Sequence, residues 1–185
     1  MADELSGKKI AFLVANEGVE QVELTSPWEA VKAAGATPTL IAPEKSKVQA
    51  VEGDIHPSDT FDADLAVADA DVDDYDGLVL PGGVANPDAL RIDGDAVAFV
   101  KAFTDAGKPI AAICHAPWTL VEAGVVAGKN LASWPSLQTD IRNAGGTWHD
   151  VEAFTCRANG WTLVSSRKPD DLNAFNAAVL EAFAD

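Results

Sequence analysis

Cys114 is the residue of this chain best placed to act as a nucleophile. It closes the apolar run Ile110-Ala-Ala-Ile113 and is followed by His115-Ala-Pro-Trp118. A run in which every position is apolar reads as a buried strand. Pro117 suits the first turn of a helix, where its missing N–H is not needed. The thiol therefore falls on a strand-to-helix turn at the carboxyl edge of a sheet, where open α/β folds bind ligands. Free N–H groups and the positive dipole end of the helix favour a thiolate there. This is a nucleophile elbow with sulfur in place of a hydroxyl oxygen. A cysteine in such a run also packs as a small hydrophobe, but the strand–turn–helix context favours the nucleophile. Two expectations follow: Cys114 is a thiolate at neutral pH, and it is oxidised in preference to Cys156. The latter sits in an apparent strand at 152–157 with no helix start behind it, and reads as structural.

The other polar residues that bear on a thiol are few. His115, one of three histidines with His56 and His149, is placed to act as a base or to orient a substrate if the turn brings neighbouring side chains to one side. Otherwise it is an ordinary polar residue at a sheet edge. Glu20 and Glu23 follow the first strand in Asn16-Glu-Gly-Val-Glu-Gln-Val-Glu-Leu24, on the same sheet edge as Cys114. A carboxyl there, kept neutral by burial, would donate a hydrogen bond to a thiolate; the alternative is an acid compensating a helix dipole. In Leu80-Pro-Gly-Gly83, Gly82 and Gly83 let backbone N–H groups approach a ligand closely and bind an oxyanion, although Pro-Gly-Gly is also a plain turn. No two histidines have metal-ligand spacing and there is no Cys-x-x-Cys, so a zinc site is not expected.

The elements that must position these residues alternate. Strands are expected at 9–15, 37–42, 77–80, 109–113 and 161–165, and helices at 20–34, 95–106, 117–123, 137–144 and 170–183. Such alternation implies right-handed βαβ crossovers. The expected fold is a three-layer α/β sandwich with a mostly parallel, flavodoxin-like central sheet. The 185 residues fit one domain at about 150 residues per domain, spanning 1–185 with its core at about 8–184. Residues 48–75 fit the rhythm worst and read as an irregular excursion, such as a hairpin, on one edge. The stretch 52–76 holds ten acids and no Lys or Arg. It reads as a solvated face ahead of a docking surface, because charge runs are usually solvated. The formal net charge of −16 argues against nucleic acid and anionic membranes as partners. The apolar runs are too short to span a bilayer, the first nine residues have no hydrophobic signal region, and two cysteines make no disulfide framework. A cytoplasmic protein is expected.

Together these residues resemble the PfpI-type intracellular protease family, in the superfamily of the parkinsonism-associated deglycase with its class I glutamine-amidotransferase-like fold. The resemblance rests on Ala112-Ile-Cys-His-Ala-Pro117, on Glu20-Gln-Val-Glu-Leu24, on Leu80-Pro-Gly-Gly83 with Pro87-Asp88, and on Ser165-Ser-Arg-Lys-Pro-Asp-Asp-Leu172. It implies that Cys114 is the nucleophile and oxidation-sensitive thiol, that Glu20 rather than Glu23 is the carboxyl bonded to it, and that His115 is the histidine partner. It further implies that Gly83 and His115 supply oxyanion N–H groups and that Asp88 reaches a histidine of a neighbouring subunit in a homodimer or larger homo-oligomer. The implied activity is hydrolysis of peptides or amides, or glyoxalase/deglycase chemistry on methylglyoxal adducts, without a cofactor. The alternative is a non-enzymatic oxidant sensor or chaperone-like protein that uses the same thiol. Ala116 stands where the family usually has Gly, and Trp118 where many members have Gln. Both flank the elbow and bear on the binding of a peptide or small-molecule substrate. The His-x-Glu pair of true glutamine amidotransferases is absent: His56 is followed by Pro57-Ser58 and His149 by Asp150-Val151.

Overall fold

The computed structural model describes residues 4–185; residues 1–3 of the expected domain, which belong also to the first nine residues read for a signal region, lie outside it. Strand β1 (Lys9–Leu13) sets the architecture by its alternation. Ile10, Phe12 and the following Val14 pack to one side of the sheet, and Ala11, Leu13 and Ala15 to the other. All are buried, as a parallel sheet covered on both faces requires.

The chain continues through β2 (Glu17–Glu20), α1 (Gln21–Ala33), β3 (Thr37–Ala42), β4 (Lys47–Glu52), β5 (His56–Asp62), β6 (Leu65–Ala66) and β7 (Gly77–Leu80). Then come α2 (Ala85–Leu90), α3 (Gly94–Asp105), β8 (Ile110–Ile113), α4 (Pro117–Glu122), β9 (Asn130–Leu131) and α5 (Gln138–Asn143). It closes with β10 (Thr147–Trp148), β11 (Phe154–Cys156), β12 (Leu163–Ser166) and α6 (Leu172–Ala184). The central sheet has the order β11-β12-β8-β7-β1-β3-β6. Its pairs are parallel except β11 against β12. Leu24 and Val31 of α1, with Phe175, Val179 and Phe183 of α6, cover one face. Phe99, Val100 and Phe103 of α3, Leu120 of α4 and Ile141 of α5 cover the other. The expected three-layer α/β sandwich is what the chain forms. No helix among the described residues is long and apolar enough to cross a membrane.

Two features position the site. The chain leaves β1 toward β3 on one side and β7 on the other, so the sheet order switches direction beside β1, and a crevice opens outside the carboxyl ends there. Neighbouring strands β7 and β8, in register at Leu80 and Ala112, deliver the Pro-Gly-Gly turn and Cys114 to that crevice. The second feature lies in 48–75, where the expected hairpin forms but not on an edge of the main sheet. Strands β4 and β5 pair antiparallel, with a register shift between Gln49 and Val51, and join β2 in a separate three-stranded sheet. The turn of this hairpin, at Gly53 and Asp54, comes back over the carboxyl edge of the main sheet: Val84 N–H donates to Asp54 Oδ1 at 3.0 Å. Strand β5 is mostly exposed, so it lacks the apolar alternation by which a strand is read. Residues 52–76 are largely solvated, as expected, with Asp64 and Asp76 accepting from the N–H groups of Leu40 and Lys9.

Candidate active site

Cys114 has φ of 62°, the left-handed region that L side chains other than Asn and Asp seldom occupy. The turn is held in this conformation from both sides: Cys114 N–H donates to Ser166 O at 3.1 Å and Trp134 N–H donates to Cys114 O at 2.9 Å. The strained elbow points the side chain off the end of β8 toward the Pro81-Gly82-Gly83 turn, and the N–H groups of Gly83 and His115 face its sulfur. These are the two N–H groups expected to bind an oxyanion. Gly82 is glycine for want of room: a Cβ there would come within 2.4 Å of Glu23 Oε2 and 2.6 Å of Cys114 Cβ. Gly83 has φ of 83°, and a Cβ there would meet Gly18 O at 2.5 Å. The two glycines thus permit the close approach of carboxyl, thiol and backbone donors.

The carboxyl beside the thiol is Glu23, not Glu20. Glu23 lies in the first turn of α1, fully buried, with both carboxyl oxygens lacking a formed hydrogen bond and with the Cys114 thiol and Gly82 N–H as the polar groups they face. Glu20 turns away: its two oxygens accept from Gly53 N–H and Asp54 N–H at 3.0 Å each. The reason is local. Glu20 ends β2, one residue before the helix, so helical rotation does not bring its side chain onto the face of Glu23. Glu20 clamps the hairpin turn over the site.

Electrostatics follow from this burial. Desolvation pushes the Glu23 carboxyl up to about 8, with the charge of Glu20 adding to it and the contacts to Cys114 and Gly82 opposing it, so that Glu23 carries a proton at neutral pH. Burial and then the negative charge of an ionised Glu23 push the Cys114 thiol up, against the pull of the Gly83 and His115 N–H groups. The expectation of a thiolate made by a helix N-terminus is therefore corrected. Helix α4 has six residues, Cys114 is only 4% exposed, and the ionisation of its thiol depends on where the Glu23 proton resides. With Glu23 neutral, repulsion is replaced by a donor. The contrast with Cys156 is corrected too. Its thiol is also buried, which raises it, but the N–H groups of Asn130 and Ala158 and the Lys129 ammonium bring it below the ordinary value.

His115 Nδ1 lies 3.1 Å from Cys114 Sγ. Burial lowers the imidazole pKa, with the charge of Asp54 pulling it back, so the ring is neutral and able to accept the thiol proton. Trp134 stacks on it at 5.6 Å and Trp118 packs at 5.1 Å. Trp118 is a wall for this imidazole: its indole N–H donates to Asp140 and Arg91 lies 5.6 Å over its ring. Ala116 is no oxyanion donor, because its N–H already binds Ile113 O at 3.0 Å. With φ of −53° it needs no glycine, which accounts for the alanine at this position. Asp88 lies on α2, in a helix rather than a projecting loop, and is exposed. His56 lies on β5 and His149 follows β10, where its ring bonds Asn130, and the described residues contain no metal-binding group of acids, histidines and cysteines.

Sequence reasoning missed three residues here. Trp134 roofs His115. Asp54 reaches the site from the hairpin. Asn86, fully buried, accepts from Ala15 N–H at 2.6 Å and donates to Pro81 O and Gly82 O at 2.9 Å each, which fixes the glycine turn against β1. The Ser165–Leu172 motif proves structural: Ser165 and Ser166 bond backbone groups of Ala132 and Glu152, and Arg167 bridges Asp150 and Asp171.

The profile of the DJ-1/PfpI family matches residues 8–182. The Bacillus subtilis protein named "Putative cysteine protease YraA" is 38% identical over 170 residues, covering 91% of this chain and 94% of the relative. The Escherichia coli protein named protein/nucleic acid deglycase 2 is 37% identical over 173 residues, covering 94% of this chain and 96% of the relative. The crystal structure of Drosophila melanogaster DJ-1beta superposes with a TM-score of 0.82 at 26% identity, covering 96% of this chain and 90% of that one.

Proposed function

The chain belongs to the DJ-1/PfpI family, and on that footing we propose that it is a cytoplasmic stress-response enzyme with Cys114 as nucleophile. Its substrates are small 2-oxoaldehydes and their adducts with amines and thiols, so that it works as a glyoxalase or deglycase. One observation carries this reading: a buried carboxyl that keeps its proton at neutral pH stands against the thiol of a residue, Cys114, that is only 4% exposed. Acyl transfer from a peptide needs a nucleophile, a base and an oxyanion hole. An acid that can also move a proton between two adjacent carbons is what isomerisation of a 2-oxoaldehyde needs.

The steps balance without an external oxidant or reductant. His115 takes the thiol proton and Sγ adds to the aldehyde carbon. The resulting oxyanion faces the Gly83 and His115 N–H groups and is protonated by Glu23, giving a hemithioacetal. The Glu23 carboxylate then takes the hydrogen on that carbon as a proton and returns it to the neighbouring carbon through an enediol, giving a 2-hydroxyacyl thioester. One water hydrolyses the thioester, restoring the thiol and releasing the 2-hydroxy acid. For an adduct on an amine, the carbon–nitrogen bond breaks when sulfur is added, and the amine leaves with a proton.

The assay compares wild type and Cys114→Ala on methylglyoxal and on a panel of amides and peptides. Wild type should convert methylglyoxal to lactate, and the variant should be slower by at least about 10³-fold, the scale on which loss of a nucleophile acts. Activity retained by the variant, or peptide cleavage by wild type without methylglyoxal turnover, would contradict the reading.

We also place Asp88 beside His115 of a second copy, in a homo-oligomer, since it stands exposed on α2. There it would orient the imidazole. Mixing Cys114→Ala with Asp88→Ala, each inactive alone, should restore part of the activity as hybrid oligomers pair an intact thiol with an intact acid. No recovery after demonstrated subunit exchange would return Asp88 to a role within its own chain.

A further inference from the structure

Asp54 occupies an unusual place. It is the exposed tip of the β4–β5 hairpin, held in a left-handed conformation with φ of 67°. Three bonds fix it there. The Glu20 carboxylate accepts from the N–H groups of Asp54 and of Gly53 at 3.0 Å each, and Asp54 Oδ1 accepts from Val84 N–H at 3.0 Å. Val84 follows Gly83, whose N–H faces the Cys114 sulfur. The carboxylate is thus tied one residue away from a donor of the oxyanion site, on the solvent side of the buried thiol. Its charge is felt by Cys114, His115 and Glu23 alike. Both its backbone and its carboxylate are tethered, the first by Glu20 and the second by Val84.

We propose that Asp54 sets the charge specificity of the site, admitting neutral and cationic carbonyl compounds and rejecting those that carry a carboxylate next to the reacting carbon. A fixed negative charge at the mouth repels an incoming anion and favours the positively charged surroundings of an adduct on lysine or arginine. The nucleophile adds to both classes by the same chemistry, so discrimination arises from the approach and not from the reaction. As an account of substrates this rests on the glyoxalase/deglycase reading; as an account of the thiol's surroundings it stands apart from it.

The test uses two alkylating agents that transfer to sulfur at the same kind of carbon with the same leaving group: iodoacetamide, which is neutral, and iodoacetate, which is an anion. Rates are read on Cys114 alone by peptide mass mapping, and their ratio cancels any change in thiolate fraction. Asp54→Asn keeps the acceptor for Val84 and suits positive φ, so the turn is conserved while the charge is lost. The preference for iodoacetamide should fall by about threefold to tenfold in Asp54→Asn, the scale of one charge several ångströms away near a protein surface. It should stay unchanged in Asp95→Asn, which removes one exposed acid from the first turn of α3. In wild type the preference should also shrink at about 1 M salt, where screening acts within about 3 Å. An unchanged ratio in Asp54→Asn, an equal fall in Asp95→Asn, or salt independence in wild type would each overturn the proposal. A chain that does not turn over methylglyoxal contradicts the functional reading, while the alkylation ratio still decides the role of Asp54.

Discussion

Glu23→Leu should slow alkylation of Cys114 at about pH 6.5 by roughly 10- to 100-fold, the worth of one charge-assisted hydrogen bond in a buried site. Below about pH 8 the wild-type carboxyl is protonated and is the acid that faces the sulfur; leucine removes that donor and leaves a desolvated thiolate with its two backbone N–H groups. Above that pH the wild-type carboxylate repels the thiolate, so the deficit should narrow or reverse. Glu23→Gln keeps a donor and cannot ionise. It should match wild type near neutrality and react faster than wild type above pH 8. Glu20→Gln should shift the profile of Cys114 alkylation far less than Glu23→Gln does, since Glu20 holds the hairpin turn and acts on Glu23 only through its charge. Stability carries the same signature. The folded-state value of about 8 exceeds the ordinary 4.5, so the folded protein binds this proton more tightly than the unfolded chain does. The resulting stabilisation is complete below pH 4.5, declines as pH rises toward 8, and is lost above it. Urea unfolding of wild type and Glu23→Gln at the two ends of that window should show wild type losing a few kcal/mol relative to the variant, at about 1.4 kcal/mol per pH unit at most. A constant difference across the window would mean that the carboxyl is ionised throughout.

The second large effect is structural. Asn86→Ala should destabilise the protein by about 3 kcal/mol, because it leaves the buried Ala15 N–H and Pro81 carbonyl without their side-chain partner and the Gly82 carbonyl with only its bond from Glu20 N–H. For a chain of this length that lowers Tm by roughly 6–12 °C. The same substitution releases the Gly82–Gly83 turn, so alkylation of Cys114 should change in the protein that remains folded. A loss below about 0.5 kcal/mol would show that the turn is held by β7 and α2 alone.

Those two residues also mark the boundary of what the sequence reveals. The strand ending in Cys114 and the helix opening at Pro117 were legible because apolar runs and a first-turn proline are local signals, and Thr37–Ala42 and Gly77–Leu80 form as read. The glycines were legible because close approach leaves no alternative residue. Glu20 and Glu23 were not separable by spacing. Three residues apart in a helix would put them near one face, but the short strand β2 intervenes and places only Glu23 on the helix. Asp54 and Trp134 reach the site from segments distant in the chain, through an exposed hairpin and a loop whose composition carries no periodic signal. Asn86 acts through three backbone partners, which no side-chain pattern announces. The thiol's ionisation was misread for a related reason: the helix N-terminus is a local feature, whereas desolvation is set by the whole crevice.

The neutral carboxyl beside the nucleophile is the centre of this account, and its titration can be observed directly. In protein labelled with carboxyl-13C glutamate, one carboxyl resonance should disappear in Glu23→Gln and should titrate in wild type with a midpoint near 8. A midpoint at the ordinary glutamate value of about 4.3 would contradict the account, because Glu23 would then be a carboxylate at neutral pH and could not be the acid that faces Cys114.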